Sequence, residues 1–229
     1  MINYILPGLY EHFRFNKAFL EYLNNHQEQQ EINTTIHAVY GNFQFCIWDG
    51  GRIFQDYKQA TLEDIKDIFS FYTDHGIISR LIFTNNQLKS TDYYDRFCNL
   101  ILTIGQDYNV EIVLADEKLM EYIKTNYPNY KFISSTTKCI TNFDTLRQEI
   151  NNPNYKMVCL DYNLNKHKEL INFTPEEKEK TEFLCNAICP PGCTNRKNHY
   201  RLNSLFSLSG GSCYSMCYCP ITNNTVSKQ

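Results

Sequence analysis

Apolar β-rich runs alternate with amphipathic helical segments through most of this chain, and that alternation implies an α/β domain built on a parallel sheet. Six runs read as strands: Thr35 to Tyr40, Arg80 to Thr84, Val110 to Ala115, Lys131 to Ser135, Met157 to Asp161 and Thr181 to Asn186. The clearest helix runs from Thr61 to about Tyr72. Thr61 and Asp64 form a capping box at its start, and Leu62, Ile65, Ile68, Phe69 and Tyr72 make one apolar stripe. Further helices are expected at Glu11 to Leu23, Asp92 to Ile104, Asp116 to Asn126 and Phe143 to Ile150, the segment before Tyr127-Pro128 being stopped by the proline. Neither an internal repeat nor a linker interrupts the pattern, so residues 1–229 are expected to form a single domain.

Strands at intervals of about 20 to 45 residues, joined by helices, suit a (β/α) TIM-like barrel. A closed eight-stranded version needs about 250 residues, and this chain has 229, thirty-six of them after Cys193. An incomplete barrel is therefore expected, followed by a Cys-rich C-terminal segment. An open doubly wound sheet is the alternative, weakened because Tyr40-Gly41-Asn42-Phe43 is not the glycine-rich loop that cradles a dinucleotide.

Polar residues collect where the strands end: Asn85 and Asn86, then Ser134, Ser135 and Thr136, then Asp161 and Asn163, then Asn186 with Cys189. In a parallel barrel these share the C-terminal rim, where loops vary without disturbing the core and catalytic groups gather. Taken singly, each is an ordinary turn former or helix cap. Asn85 and Asp161 are the rim candidates for catalysis. Arg196, Lys197, His199 and Arg201 form a cationic stretch suited to a carboxylate, a phosphate or an RNA backbone. Arg196 and His199 are its functional candidates, and Lys197 and Arg201 read as solvated. The segment Asn42 to Arg52 holds the single tryptophan and a Gly50-Gly51 pair, and reads as a tight turn over the barrel mouth.

Six thiols fall within thirty-five residues, in Cys185-Asn-Ala-Ile-Cys189-Pro-Pro-Gly-Cys193 and Cys213-Tyr-Ser-Met-Cys217-Tyr-Cys219. Thiolates at such spacing converge on one iron or zinc centre, and Pro190-Pro191-Gly192 imposes a turn between them. Disulfides are the competing use of ten cysteines. The N-terminus has no basic region, apolar core or cleavage site of a secretory signal, which points instead to the reducing cytoplasm. Cys46, Cys98, Cys139 and Cys159, isolated in apolar stretches, read as small buried hydrophobes. A net charge of -3 provides no basic field for bulk binding to nucleic acid, and no apolar run reaches the length of a bilayer span. Neither G-x-S-x-G nor a recognisable base beside a Ser or Cys supports hydrolysis by a nucleophile.

Phe183-Leu-Cys185-Asn-Ala-Ile-Cys189, Cys193, and Ser207-Leu-Ser-Gly-Gly-Ser-Cys213-Tyr-Ser-Met-Cys217 together resemble the cysteine signature of the collagenase-like peptidase family. Cys189 and Cys193 match its first pair, and Cys213 and Cys217 its C-x3-C pair. The resemblance implies a (β/α) barrel, and for several members an iron-sulfur cluster serving oxygen-independent hydroxylation of RNA bases or a quinone precursor. Tyr218 stands where the family usually has arginine, the Cys189 to Cys193 gap is short, and the closing Lys-Ile-Glu-Gly-Arg type segment is missing; these mark a shortened or divergent member. On this resemblance Cys189, Cys193, Cys213 and Cys217 hold a 4Fe-4S cluster, with Cys185 and Cys219 as substitutes, and the substrate is a small acid, a nucleobase or RNA. The alternative is a zinc-stabilised or metal-free barrel that binds a partner and catalyses nothing. A partner chain completing the barrel is a further expectation.

Overall fold

The computed structural model describes residues 2–26, 34–51, 59–186, 189–190 and 192–210. Seven strands form one sheet: β1 (Ile2–Pro7), β2 (Thr34–Gly41), β3 (Ile78–Phe83), β4 (Val110–Leu114), β5 (Lys131–Ser134), β6 (Tyr155–Cys159) and β7 (Thr181–Glu182). They lie side by side in chain order, and every neighbouring pair is parallel. The helices are α1 (Phe13–Asn25), α2 (Leu62–Asp74), α3 (Arg96–Gly105), α4 (Glu117–Asn126), α5 (Phe143–Ile150), α6 (Pro175–Glu179) and α7 (Arg196–Leu208). None is long and apolar enough to cross a membrane.

The sheet curls into a half-barrel. Arg80 on β3 donates to Glu182 on β7, although four strand spacings of about 4.8 Å would hold them about 19 Å apart in a flat sheet. They meet because the strands bend toward one another around a concave face. That face carries a charged network: Arg80 Nε reaches Glu111 at 3.1 Å, Lys156 Nζ reaches Glu111 at 2.5 Å, and Arg80 Nη2 lies 3.7 Å from the Met157 sulfur. Two cations face two carboxylates, which offsets the desolvation of Arg80 and Glu111, both almost fully buried. Among the described residues β1 and β7 pair neither with each other nor with a further strand, and the barrel is incomplete.

Alternate residues point the other way and build the main core. Leu81 and Phe83 of β3, Ile112 and Leu114 of β4 and Phe132 of β5 pack with Ile65, Ile68, Phe69 and Tyr72 of α2, Ile101 and Leu102 of α3 and Leu119 and Ile123 of α4. A smaller cluster joins Leu146 and Ile150 of α5 to Val158, Leu160, Leu164 and Phe173.

The capping box at Thr61 and Asp64 forms as expected. Several elements differ from the sequence reading: β3 and β6 each begin two residues earlier than expected, and α1 lies two residues later. β1 is an additional strand. The segment expected as one helix from Asp92 breaks at Asp95, whose side chain accepts from Cys98 N–H at 2.8 Å and starts α3 afresh. The last strand stops at Glu182 rather than Asn186, because the chain leaves the sheet after Glu182 O accepts from Leu160 N–H.

Candidate functional site

The C-terminal ends of β3, β5 and β6 are bridged by α7, which lies across the rim. Its first residue, Arg196, sits over β5 and β6, and Ser204, two turns on, sits over β3. The cationic stretch thus opens a helix docked on the rim through Arg196. Lys197 and Arg201 are exposed as expected, Arg201 holding the Asn198 side chain.

Arg196 is buried, and each part of its guanidinium is engaged. Nη1 bonds Asp161 Oδ2 at 2.5 Å, Nη2 donates to Thr136 Oγ1 at 3.0 Å and Nε donates to Tyr200 Oη at 3.1 Å. The group lies over the Tyr162 ring at 4.3 Å and the Tyr200 ring at 5.3 Å. Burial opposes its charge, but the Tyr200 hydroxyl and Asp161 outweigh it and hold the pKa above its ordinary value. Asp161 uses its other oxygen to cap the turn at Tyr162–Leu164, accepting from Asn163 N–H at 3.0 Å and from Asn163 Nδ2 at 2.9 Å. Burial pushes the Tyr200 hydroxyl up to about 12, so it stays protonated at neutral pH.

Asn85 is fully buried and acts as a clamp between three segments. Its Nδ2 donates to Ile47 O at 2.7 Å and Ser204 O at 3.0 Å, and its Oδ1 accepts from Gln87 N–H at 2.9 Å. Its own N–H donates to Trp48 O, and Asn86 N–H donates to Ser204 Oγ. Gly50 makes that approach possible: a Cβ there would lie 2.4 Å from Ser204 Oγ and 2.7 Å from Asn85 Cα. The turn expected over the barrel mouth thus lies against β3 and α7, while Arg52 falls outside the described residues.

His199 sits beside this anchor, its ring parallel to that of Tyr200 at 6.0 Å. Its Nδ1 is buried and has no hydrogen-bond partner among the described residues. Burial, and then the charge of Arg196, hold its pKa below 6.5. It is neutral at physiological pH.

The turn bearing Cys189 and Cys193 is fastened to the same rim. Tyr162 Oη donates to Pro190 O at 2.8 Å, Gly192 N–H donates to Asn163 Oδ1 at 2.9 Å, and Cys193 N–H donates to Pro190 O at 3.2 Å. Gly192 adopts φ 75°, the left-handed conformation the Pro-Pro-Gly sequence anticipates. Cys193 is buried, Cys189 half-buried and Cys185 exposed. Cys213, Cys217 and Cys219 lie outside the described residues. Among the described residues no group of three or more His, Cys, Asp or Glu is arranged to hold a metal; Cys189 and Cys193 provide two thiols of the right chemistry on one anchored turn.

Sequence reasoning left Cys139 among the inert cysteines. It is buried, but it ends the Thr136–Lys138 turn at φ 51°, rare for a residue with a Cβ. Burial pushes its thiol up, and Arg196, Asp161 and Cys189 all act on it electrostatically. It belongs to the rim. Nothing in the sequence announces a left-handed cysteine. Tyr162 and Tyr200 were also missed, although Tyr200 stands one helical turn from Arg196, where an aromatic ring readily covers an arginine. Cys46 and Cys98 do match the buried reading, their sulfurs 3.3 Å apart in the core.

No protein-family model matches the chain, and no curated protein does. Among solved structures it is similar to the U32 peptidase Mk0906, with a TM-score of 0.57 and 14% identity over 96% of this chain and 83% of that one. The two share a fold. At this identity the likeness speaks for architecture alone.

Proposed function

We propose that the protein is a divergent relative of the collagenase-like (U32) peptidases that carries an iron-sulfur cluster on its barrel rim and acts as a cluster-dependent enzyme on a small acid, a nucleobase or RNA. One observation carries the reading: the Cys189 to Cys193 turn is tied to the end of β6 by Tyr162 and Asn163, the residues that follow the buried Asp161–Arg196 pair. Two thiols are thereby presented from a rigid support. Cys213 and Cys217 would complete the ligand set, with Cys185 in reserve, and such a cluster supplies electron transfer or an open iron for a substrate oxygen. This chain's own contribution is positional. Arg196 holds α7 across the rim, Asn85 fixes the opposite end, and exposed Lys197 and Arg201 offer charge to an anionic substrate. His199, whose buried Nδ1 has no hydrogen-bond partner among the described residues, is the candidate for moving a proton.

The peptidase activity named for the structural neighbour has less support, since among the described residues His199 Nδ1 has no hydrogen-bond partner to activate. A second reading has a specific observation behind it. Asn85, Asp161 and Arg196 are all engaged by internal partners, which suits a zinc-stabilised or metal-free binding module. Iron, zinc and acid-labile sulfide analysis of protein purified without oxygen separates the two. About four irons and four sulfides per chain, lost in C189A/C193A, support the cluster; one zinc without sulfide supports the module; a folded protein with neither metal removes both metal readings.

A further inference from the structure

Where the turn at Ser90–Tyr94 meets α4, three tyrosine rings gather around an open pocket of about 590 Å³. Tyr93 and Tyr122 lie at 33° with centroids 5.7 Å apart, and Tyr94 stands at 81° to Tyr122, 5.6 Å away, so that Tyr94 and Tyr122 form a corner. One residue fastens both walls: Asn99 Nδ2 donates to Tyr93 O at 2.9 Å, and Asn99 Oδ1 accepts from Tyr122 Oη at 2.9 Å. The turn is pinned again where Trp48 Nε1 donates to Asp92 O at 2.9 Å and Lys89 N–H to Asp92 Oδ2 at 2.7 Å. The corner is therefore built before any ligand arrives, yet the Tyr94 side of it is 71% exposed.

The surroundings select the ligand. Glu121 lines the pocket, and after burial it is the charges of Asp116, Asp92 and Glu121 that push the Tyr93 hydroxyl above its ordinary value. Their field at the rings is negative, and aromatic faces carry partial negative charge of their own. Of the polar lining, Thr125 Oγ1 donates to Glu121 O at 2.9 Å and Asn126 Nδ2 to Tyr122 O at 2.8 Å. These donors, like the Tyr122 hydroxyl, are turned onto the protein. A sugar therefore finds few of the directed hydrogen bonds that would orient it, and an anion meets carboxylates. A quaternary ammonium group fits both conditions: it has no N–H to satisfy, and its charge is spread over methyl groups that lie against ring faces. We propose that this corner binds a trimethylammonium group, carried by a small alcohol or by a methylated lysine side chain.

The lining residues have separate parts in this. Tyr122 is backed edge-on by Trp48, the single tryptophan, at 6.2 Å and 80°, so its ring is held in place. Tyr94 supplies the exposed face that the ligand covers. Glu121 adds attraction, while Lys118, one turn before it on α4, lines the same pocket and opposes a cation. These signs discriminate between ligands. For a cation, neutralising Glu121 weakens binding and neutralising Lys118 tightens it; for a phosphate or sulfate both effects reverse, and an uncharged ligand responds to neither.

The test is proton NMR, by saturation transfer and ligand shift, on the full 229-residue chain. Three probes are titrated: choline, its uncharged isostere in which carbon replaces the nitrogen, and a short peptide bearing trimethyl-lysine. The expected result is saturable binding of choline, its methyl resonance moved upfield by the rings, with the isostere at least about tenfold weaker. Y94A should weaken choline binding about fivefold, E121Q should weaken it and K118Q should tighten it. Tyr94, Glu121 and Lys118 are exposed, so each variant should keep the wild-type circular dichroism and melting temperature. A peptide that binds more tightly than choline assigns the site to a methylated lysine, and equal affinities assign it to the small alcohol. Equal binding of the isostere overturns the proposal by removing the charge from recognition. Absence of binding by both ammonium probes up to about 10 mM overturns it, and so does binding that Y94A leaves unchanged, which moves the cation to another place on the chain.

Discussion

Replacing Arg196 by methionine should destabilise the protein by about 3–4 kcal/mol, near the lower part of the range for breaking a buried ion pair. Methionine keeps most of the side-chain bulk, so the loss is electrostatic. Three hydrogen bonds disappear, to Asp161, Thr136 and Tyr200, together with the stacking on Tyr162. Hydrogen bonds to charged groups contribute about 1.5–3 kcal/mol each when desolvated, and the cation–π contact about 0.5–2 kcal/mol. Against this, Asp161 keeps two donors from Asn163 and is not left bare, which argues for the lower part of the range. Urea unfolding at neutral pH measures the change. D161N should cost less than R196M, since asparagine can still accept from Asn163 and Arg196 keeps Thr136 and Tyr200. The double variant D161N/R196M should be more stable than the sum of the single effects predicts, by about 2 kcal/mol, because removing both charges leaves neither unpaired. If R196M costs less than about 1 kcal/mol, or the two substitutions simply add, the pair is solvated and α7 is not anchored through it.

Other perturbations probe the remaining supports. G50A should destabilise by about 1–3 kcal/mol and loosen α7, because the new methyl meets Ser204 Oγ and the Asn85 backbone; hydrogen exchange at Asn86 N–H, bonded to Ser204, should accelerate more than at the β4 amides. N85A should cost about 1–3 kcal/mol, and N85D more, since a carboxylate would face the carbonyl oxygens of Ile47 and Ser204; equal effects in urea would mean that the amide orientation is irrelevant. His37 is held below its ordinary 6.5 by burial first, then by Arg80 and Lys156. Its contribution is fully present above pH 6.5 and is lost as pH falls below that value, because the unfolded chain then takes the proton first. H37Q should therefore lose less stability than wild type between about pH 7.5 and about pH 5, and parallel pH profiles in urea would contradict this.

The strands from β2 to β6 were legible because β-branched and aromatic runs carry their own signal, and α2 and α4 because Thr61 and Asp116 cap them locally. β1 was not, since six residues ending in Pro7-Gly8 resemble a loop until Val39 and Tyr40 are there to pair with. β7 was overdrawn for the converse reason: its apolar run continues past Glu182, but the Tyr162–Leu164 turn and Asn165, which holds Leu184 O, draw the chain off the sheet.

The rim divides along the same line. Asn85, Asp161 and the arginine were each found as residue types suited to chemistry, yet the energy that defines their roles lies between residues remote in sequence. Arg196 pairs with Asp161 across thirty-five positions and Asn85 with Ser204 across 119. Which polar groups a helix satisfies when it crosses a rim depends on where the helix lands, and α7 lands with the charge of Arg196 buried between Asp161 and two tyrosine rings. Once that anchor is set, Gly192 and the Cys189 to Cys193 turn follow it through Tyr162 and Asn163. The arginine sought as a substrate ligand is therefore more plainly the residue that builds the platform. If the rim holds the proposed cluster, its thiol geometry should be lost when Arg196 is removed, because the turn that bears Cys189 and Cys193 is tied to the residues following Asp161. R196M should thus lower metal content together with stability. R196K, which keeps the charge but not the three-way fork, should recover only part of both; full recovery by lysine would show that charge alone organises the rim.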